Sequence, residues 1–328
     1  DVVVSGYGNA VSDIKGILPS GTISEYLTHG FRSARGPVVT GSMRLPIAET
    51  PDVPWDAVGD WTFVTNYGPI QGDSGKIPYD GGWTNGGDDS AAIQAAIDSG
   101  KTTVCFPKGT YSINNTVYIR GNVRRLIGLE STLQAGATLA SSGAPMFVFE
   151  NGTSPVVVFE RFDADYGVIT GPYMLNNSTR TLVIKSVSTV GSAAYGHYHY
   201  QTGTGTGDLF VEDSVIRISI KNQNAWMRQY NSEDVSQNQT TPHLINDGGT
   251  VFILGMKTEG VATQIETKNG GRTEVLGGLL ASTNWVTPEL PGIINNESQV
   301  CVVAPTYIDP GAQQELVVSE TIGGFNRL

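Results

Sequence analysis

Apolar residues change their spacing twice between Gly87 and Ile113, and the two changes set out the start of a fold. Ile93, Ala96 and Ile97 recur at helical spacing and give one narrow apolar face. Asp88, Asp89 and Ser90 precede them with oxygens suited to the free N–H groups of a first turn, and Gly100 follows as a stop. Thr102 to Phe106 is then β-branched and apolar, ended by Pro107-Lys108-Gly109, and a second β run follows from Thr110 to Ile113. A helix with so narrow a stripe must lie flat on a partner. The open end of a stack of strands that begins right after it is the nearest one.

Further along, short apolar runs are separated by Gly, Ser and Ala turns. Three of them, beginning at Gly207, Gly249 and Gly271, align without gaps, with β-branched or large apolar residues at the centre and small residues at the end. Thr181 to Val187 and Gln299 to Ala304 extend the series. No helical crossover pattern lies between them. Parallel strands without helices, at a repeat of roughly 20–40 residues, favour a β-solenoid over a doubly wound sheet. An antiparallel sandwich is the rival, weakened by the lack of two-residue hairpin turns. The gap of 42 residues between Gly207 and Gly249 reads as one coil with a long irregular excursion, Val215 to Pro242.

Composition narrows the function classes. Only 16% of the 328 residues are charged and 41 are Gly, as suits a turn-rich β protein. The net charge of −11 argues against nucleic acid as a partner, since phosphate binding needs a basic face. No run is long and apolar enough for a membrane span, and no leader pattern opens the sequence, which leaves a mature chain, a fragment or a cytoplasmic one open. Cys105 and Cys301 lie in apolar runs at opposite ends of the series. Coils about 4.8 Å apart would hold them beyond disulfide reach, so two buried free thiols are expected.

The run from Asp88 to Ile113 resembles the opening of the pectate-lyase-like right-handed parallel β-helix proteins, of the kind found in glycoside hydrolase family 55 and phage tailspikes. Asp88, Asp89, Ala92, Ile93, Gln94, Ala96, Ile97 and Asp98 match the family's capping helix. Val104, Phe106, Pro107, Gly109, Tyr111 and Ile113 match its first coil. The likeness covers about 55 residues if Phe63 to Tyr67 is the preceding strand. Gln71 to Gly86, rich in Pro and Gly, departs from the family's tight turn. The motif marks architecture and not chemistry. It implies an all-β, right-handed parallel β-helix over residues 59–328 with a short N-terminal capping helix. Residues 1–58 read either as the tail of a preceding β-helix module with its connector, or as an arm folded along the flank. Within them Leu45 to Trp55 carries three prolines and reads as stiff and extended.

Candidate chemistry follows from this frame. Glycosidic bonds are cut by paired carboxyls about 5–5.5 Å or 6.5–9.5 Å apart, and equivalent positions on nearby coils supply such spacings. Asn246 to Glu274 is the richest stretch, and Asp247, Glu259, Glu266, Arg272 and Glu274 are the catalytic candidates. Lys257 and Lys268 place a cation beside a carboxylate. A lyase would pair Arg272 or Lys268 with Glu266 and Glu274, commonly with Ca²⁺; otherwise no cofactor and no resident metal is expected. Tyr198 and Tyr200 are candidates for sugar stacking, with Trp226 and Arg228 of the excursion and Lys268 as further substrate-binding residues. His197 and His199 are a weak metal pair, lacking a third ligand. The alternative for every one of these charges is ordinary pairing on a solvated face. Six Asn-x-Ser/Thr sequons occur, at Asn114, Asn151, Asn176, Asn177, Asn238 and Asn296, little more than chance in a chain so rich in these residues.

The resemblance implies an extracellular or cell-surface, carbohydrate-directed module with a polysaccharide as partner. Hydrolysis by a carboxylate pair comes first and β-elimination second if a bond is broken. The other reading is a non-catalytic structural or adhesive surface protein or filament subunit. An upstream β-helix module or a second copy of the chain would be further partners.

Overall fold

The computed structural model describes residues 2–12, 16–23, 42–68, 87–164, 169–189, 198–233, 241–260, 262–282, 290–304, 306–308 and 318–327. Contacts divide the chain into two compact units, Asp1–Leu45 and Pro46–Leu328. In the first, Val2–Ser12 pairs antiparallel with Gly16–Ile23, with Ser12 opposite Gly16. The opening strand is thus half of a hairpin and not a parallel coil entered midway. The Pro-rich stretch after Leu45 groups with the second unit.

The second unit is a parallel β-helix. Its strands stack into one ten-stranded and one twelve-stranded sheet among the described residues. Successive coils contribute a strand to each, as Ile218–Lys221 and then Asn224–Asn231 do. Side chains alternate across a strand, so in-register pairing turns the sequence pattern into columns. Leu126, Phe159, Ile184, Val211, Met227, Ile253 and Val275 form one buried column inside the twelve-stranded sheet. Phe147, Met174, Tyr200, Ile218, Leu244 and Ile265 face them from the ten-stranded sheet. Burying each such apolar side chain is worth about 1.5–3 kcal/mol.

The Gly-led repeats line up as expected. Leu209, Ala225, Val251 and Thr273 are paired in sequence, which puts Gly207, Gly249 and Gly271 in one column. Gln223 stands between the first two. The described part of the expected excursion, with Ile218–Lys221 and Asn224–Asn231, is therefore a further coil, hidden because glutamine occupies the glycine position. Its side chain repays the substitution with hydrogen bonds: Oε1 accepts from Tyr200 Oη at 2.9 Å and from Thr202 Oγ1 at 2.7 Å.

A second column bends the chain out of the twelve-stranded sheet. Arg161, Ser186, Asp213, Gln229, Gly255 and Gly277 each follow a paired outward residue, and all have φ between 47° and 80°. Four of the six are not glycine, at a cost of roughly 1–2 kcal/mol each. Each coil must turn at the same place, and the stacked neighbours hold the turn.

The helix Ser90–Asp98 closes the start of the solenoid, with Ile93, Ala96 and Ile97 buried. Asp88 Oδ1 accepts the Ser90 N–H at 2.9 Å, while Asp89 turns away to accept the N–H of Ser112 at 2.9 Å. Gly100 takes φ +82° just past the helix, as a C-terminal stop requires. Asp98 pairs with Arg120 at 2.9 Å. Neither Cys105 nor Cys301 forms a disulfide; Cys105 is buried and Cys301 partly so. Burial pushes the Cys105 thiol up to about 11.

Pro46 to Asp56 runs across the outer face of the twelve-stranded sheet. Its Val53 packs with Val158, Val183 and Phe210, three outward residues of adjacent coils. Arg125 donates to the Val53 carbonyl at 2.6 Å, pairs with Glu160 and lies 3.7 Å over the Trp55 ring. Asp56 accepts from Thr102 at 2.7 Å, from Thr103 at 2.5 Å and from Arg124. A strap crossing strands at right angles has few ladder bonds to offer, so the prolines cost it little, and their fixed φ lowers the entropy lost on docking.

Gly207 tests the stacking directly, because a Cβ there would lie 1.9 Å from the Arg180 carbonyl oxygen. Gly207→Ala should lower stability in urea by about 1–3 kcal/mol or more. Gly143→Ala, with φ +75° but nothing within 4 Å of the new methyl, should cost only about 1 kcal/mol.

Candidate functional site

The aromatic candidates face inward. Tyr200 is fully buried and its hydroxyl bonds Asn176 and Gln223; burial pushes it up to about 12. Tyr198 is 8% exposed, with its hydroxyl 2.8 Å from the Pro242 carbonyl it donates to. Neither ring offers a stacking platform. His199 between them is buried as well. Its Nδ1 lies 2.7 Å from Thr189 Oγ1 and accepts the Arg217 N–H at 3.0 Å. His197 and Tyr195 lie outside the described residues.

Trp226 and Arg228 point outward from the coil that passed for an excursion, and the strap engages both. The Trp226 ring stacks on Phe210 at 5.0 Å, and its Nε1 donates to the Pro46 carbonyl at 2.8 Å. Arg228 pairs with Glu49 at 2.9 Å and donates to the Ala48 carbonyl at 3.1 Å. This stretch of the flat outer face is occupied by the chain itself.

The carboxylate candidates separate into three places. Glu266 and Lys268 project from the outer face of the ten-stranded sheet, 3.4 Å apart, with Asp247 beside Lys268 on the previous coil. Asp247 accepts from Asn269 at 2.7 Å. Glu274 and Arg272 lie on the twelve-stranded sheet. Glu274 is 1% exposed, in the outward column between Phe252 and Cys301; Arg272 Nε donates to Gln299 at 3.2 Å. Glu266 and Glu274 thus belong to different sheets and do not converge on Arg272 or Lys268. Among the described residues no three His, Cys, Asp or Glu side chains group in a way that could hold a metal ion.

Glu259 belongs to the third place, the bend that leaves the twelve-stranded sheet. There Lys257 Nζ contacts Glu233 Oε2 and lies 3.3 Å from Glu259 Oε1. Asn231, in register with Lys257, donates to Glu233 Oε2 at 3.2 Å and accepts the Glu233 N–H at 2.9 Å. Burial would raise the Glu233 pKa, but the hydrogen bonds from Lys257 and Asn231 outweigh it and hold the carboxyl below its usual range. Lys257 forms the edge of a surface depression of about 330 Å³, whose floor includes Gly255, Met256, Gly278 and Leu279. Gly278 has φ +124° and passes so close to Met256 that a Cβ would lie 2.0 Å from its carbonyl oxygen. At Gly278 the floor is bare backbone because nothing larger fits.

The sequence pointed to Glu259 through its neighbour Lys257. Glu233 was passed over as a site residue. The signal was there: an Asn-x-Glu and a Lys-x-Glu spaced one coil apart, once Ile218–Lys221 and Asn224–Asn231 are read as a coil.

No protein-family model matches the sequence, and no curated protein matches it. Among solved structures it is similar to the Streptococcus pneumoniae surface protein and adhesin PfbA, at 10% identity and a TM-score of 0.39, over 75% of this chain and 96% of that one. It is also similar to ORF18 of Geobacillus virus E2, at 15% identity and a TM-score of 0.41, over 80% of this chain and 60% of that one. A third is the A-module of the Azotobacter vinelandii mannuronan C-5 epimerase AlgE4, at 13% identity and a TM-score of 0.27, covering 80% and 100%. Likenesses this loose carry no functional argument. The coil register above stands on its own.

Burial in the apolar interior, with Arg217 nearby, lowers both His199 and His243 to about 3. Unfolded imidazoles titrate near 6.5, so below that pH the unfolded chain binds about two protons more than the folded one. Stability is complete above about pH 6.5 and falls as acid is added, by up to about 2.7 kcal/mol per pH unit. Urea midpoints between pH 6.5 and 5, above most carboxylate titration, should follow that slope. His243→Gln should halve it.

Proposed function

We propose that this chain is an extracellular or cell-surface, carbohydrate-directed β-helix module of the pectate-lyase-like kind that holds glycans at the bend above Gly278. The observation that carries this is Lys257, held by Glu233 and Glu259, lining an open depression together with Gly255, Gly278 and Leu279. Sugars ask for both elements: carboxylates and an ammonium for their hydroxyls, and a flat apolar surface for their C–H face.

Binding is favoured over cleavage. Glycosidases keep their two carboxyls apart, one as acid and one as base or nucleophile, whereas Glu233 and Glu259 are both engaged by the one ammonium of Lys257. A general acid must also be protonated near neutral pH, and Lys257 favours the charged form of Glu233. The group is built to accept hydrogen bonds, not to donate a proton.

Affinity electrophoresis in gels containing soluble polysaccharides tests the assignment. Lys257→Met and Glu233→Gln should each lower glycan affinity about tenfold, in line with the loss of one charged hydrogen bond. Glu266→Gln, on the other sheet, should bind like the wild type. Equal retardation of all four proteins would remove the site from the bend. Release of reducing ends from a bound glycan would overturn the non-catalytic reading.

A further inference from the structure

The depression also carries information on which glycans fit it, and this step rests on the carbohydrate reading above. Two carboxylates, Glu233 and Glu259, share the single ammonium of Lys257, so the group has one negative charge in excess. It sits on a chain of net charge −11. The floor beside it is largely apolar: Leu279 lines it and is 40% exposed, next to Gly255, Met256 and Gly278.

We infer that the bend takes a neutral, hydroxyl-rich glycan and rejects uronate polymers. Each ionised carboxylate has about four lone-pair positions and an ammonium three N–H donors, so the Glu233–Lys257–Glu259 group has acceptors and a donor left over for a sugar's vicinal hydroxyls. Neutral hydroxyls use these without disturbing the ion pairs. A uronate would bring its own carboxylate against two others, with Lys257 already engaged by both. An amino sugar would have to draw Glu233 or Glu259 away from Lys257 to satisfy its ammonium. The largely apolar floor accepts the C–H face of a pyranose equally in all three cases, so charge at the rim decides between them.

Calorimetric titration of the full chain separates the outcomes, using cello- and manno-oligosaccharides of four to six units, oligogalacturonates of the same length, and chitosan oligomers. The wild type should bind a neutral oligosaccharide at least tenfold more tightly than the oligogalacturonate at low salt, with the gap narrowing as salt screens the rim. In Glu233→Gln/Glu259→Gln, Lys257 loses both partners. That variant should lose at least tenfold in neutral-glycan affinity and gain binding to oligogalacturonate. Leu279→Asp, an exposed change that leaves the interior untouched, should also lose neutral-glycan binding, with cooperative urea unfolding confirming that each variant is folded. Tighter binding of oligogalacturonate or chitosan by the wild type would overturn the neutral class while leaving a carbohydrate site in place. So would unchanged preference in the double variant. Silence toward every sugar would overturn the carbohydrate reading itself, and this inference with it.

Discussion

Each coil of this molecule must come back to the same point, displaced by about 4.8 Å, and nearly every other feature is a consequence. The backbone bonds between coils run along the solenoid, so a residue is judged by the residues above and below it more than by its sequence neighbours. Where this column turns, φ is positive in six successive coils. Arg161, Ser186, Asp213 and Gln229 accept that strain because their neighbours above and below hold the same bend. Where coils approach closely, as at Gly207 and Gly278, a side chain has no room.

The same geometry governs the outside. Outward columns place like residues in line, and on the twelve-stranded sheet Val158, Val183 and Phe210 form an apolar strip that would face water. The strap from Pro46 to Asp56 covers it, anchored by Trp226 at one end and by Asp56 at the other. At the bend that leaves this sheet, Lys257 contacts Glu233 and Glu259 and lines a surface depression. A flat face long enough for a glycan is therefore not the same as a face available to one.

Buried polar groups gather where the chain passes between sheets. His199, Arg217 and His243 are all within the solenoid wall, and Arg217 Nη2 reaches the Thr241 and Pro242 carbonyls. A buried guanidinium bonded to carbonyls fixes the path of the chain at that corner, because every other arrangement would leave a charge unsolvated. Both imidazoles stay neutral beside it, which ties the fold's acid sensitivity to this corner and not to the candidate site.

How much of this was legible beforehand depended on range. The capping helix, the first coil and the Gly207–Gly249–Gly271 column were readable, because short-range spacing, caps and turn residues report on local backbone needs. The coil with Ile218–Lys221 and Asn224–Asn231 was not, since Gln223 does through side-chain hydrogen bonds what glycine does elsewhere. The tyrosines at 198 and 200 carry no local mark of burial, so their inward placement was equally hidden. Of the carboxylates, Glu259 was visible through Lys257, but Glu233 became its partner only through the pairing of Asn231 with Lys257. The amino-acid order by itself settled that the chain winds and where the winding starts. Which side chains meet across coils, and which face stays open, was left to the tertiary structure, because register sums weak contacts over many turns and no single stretch contains them.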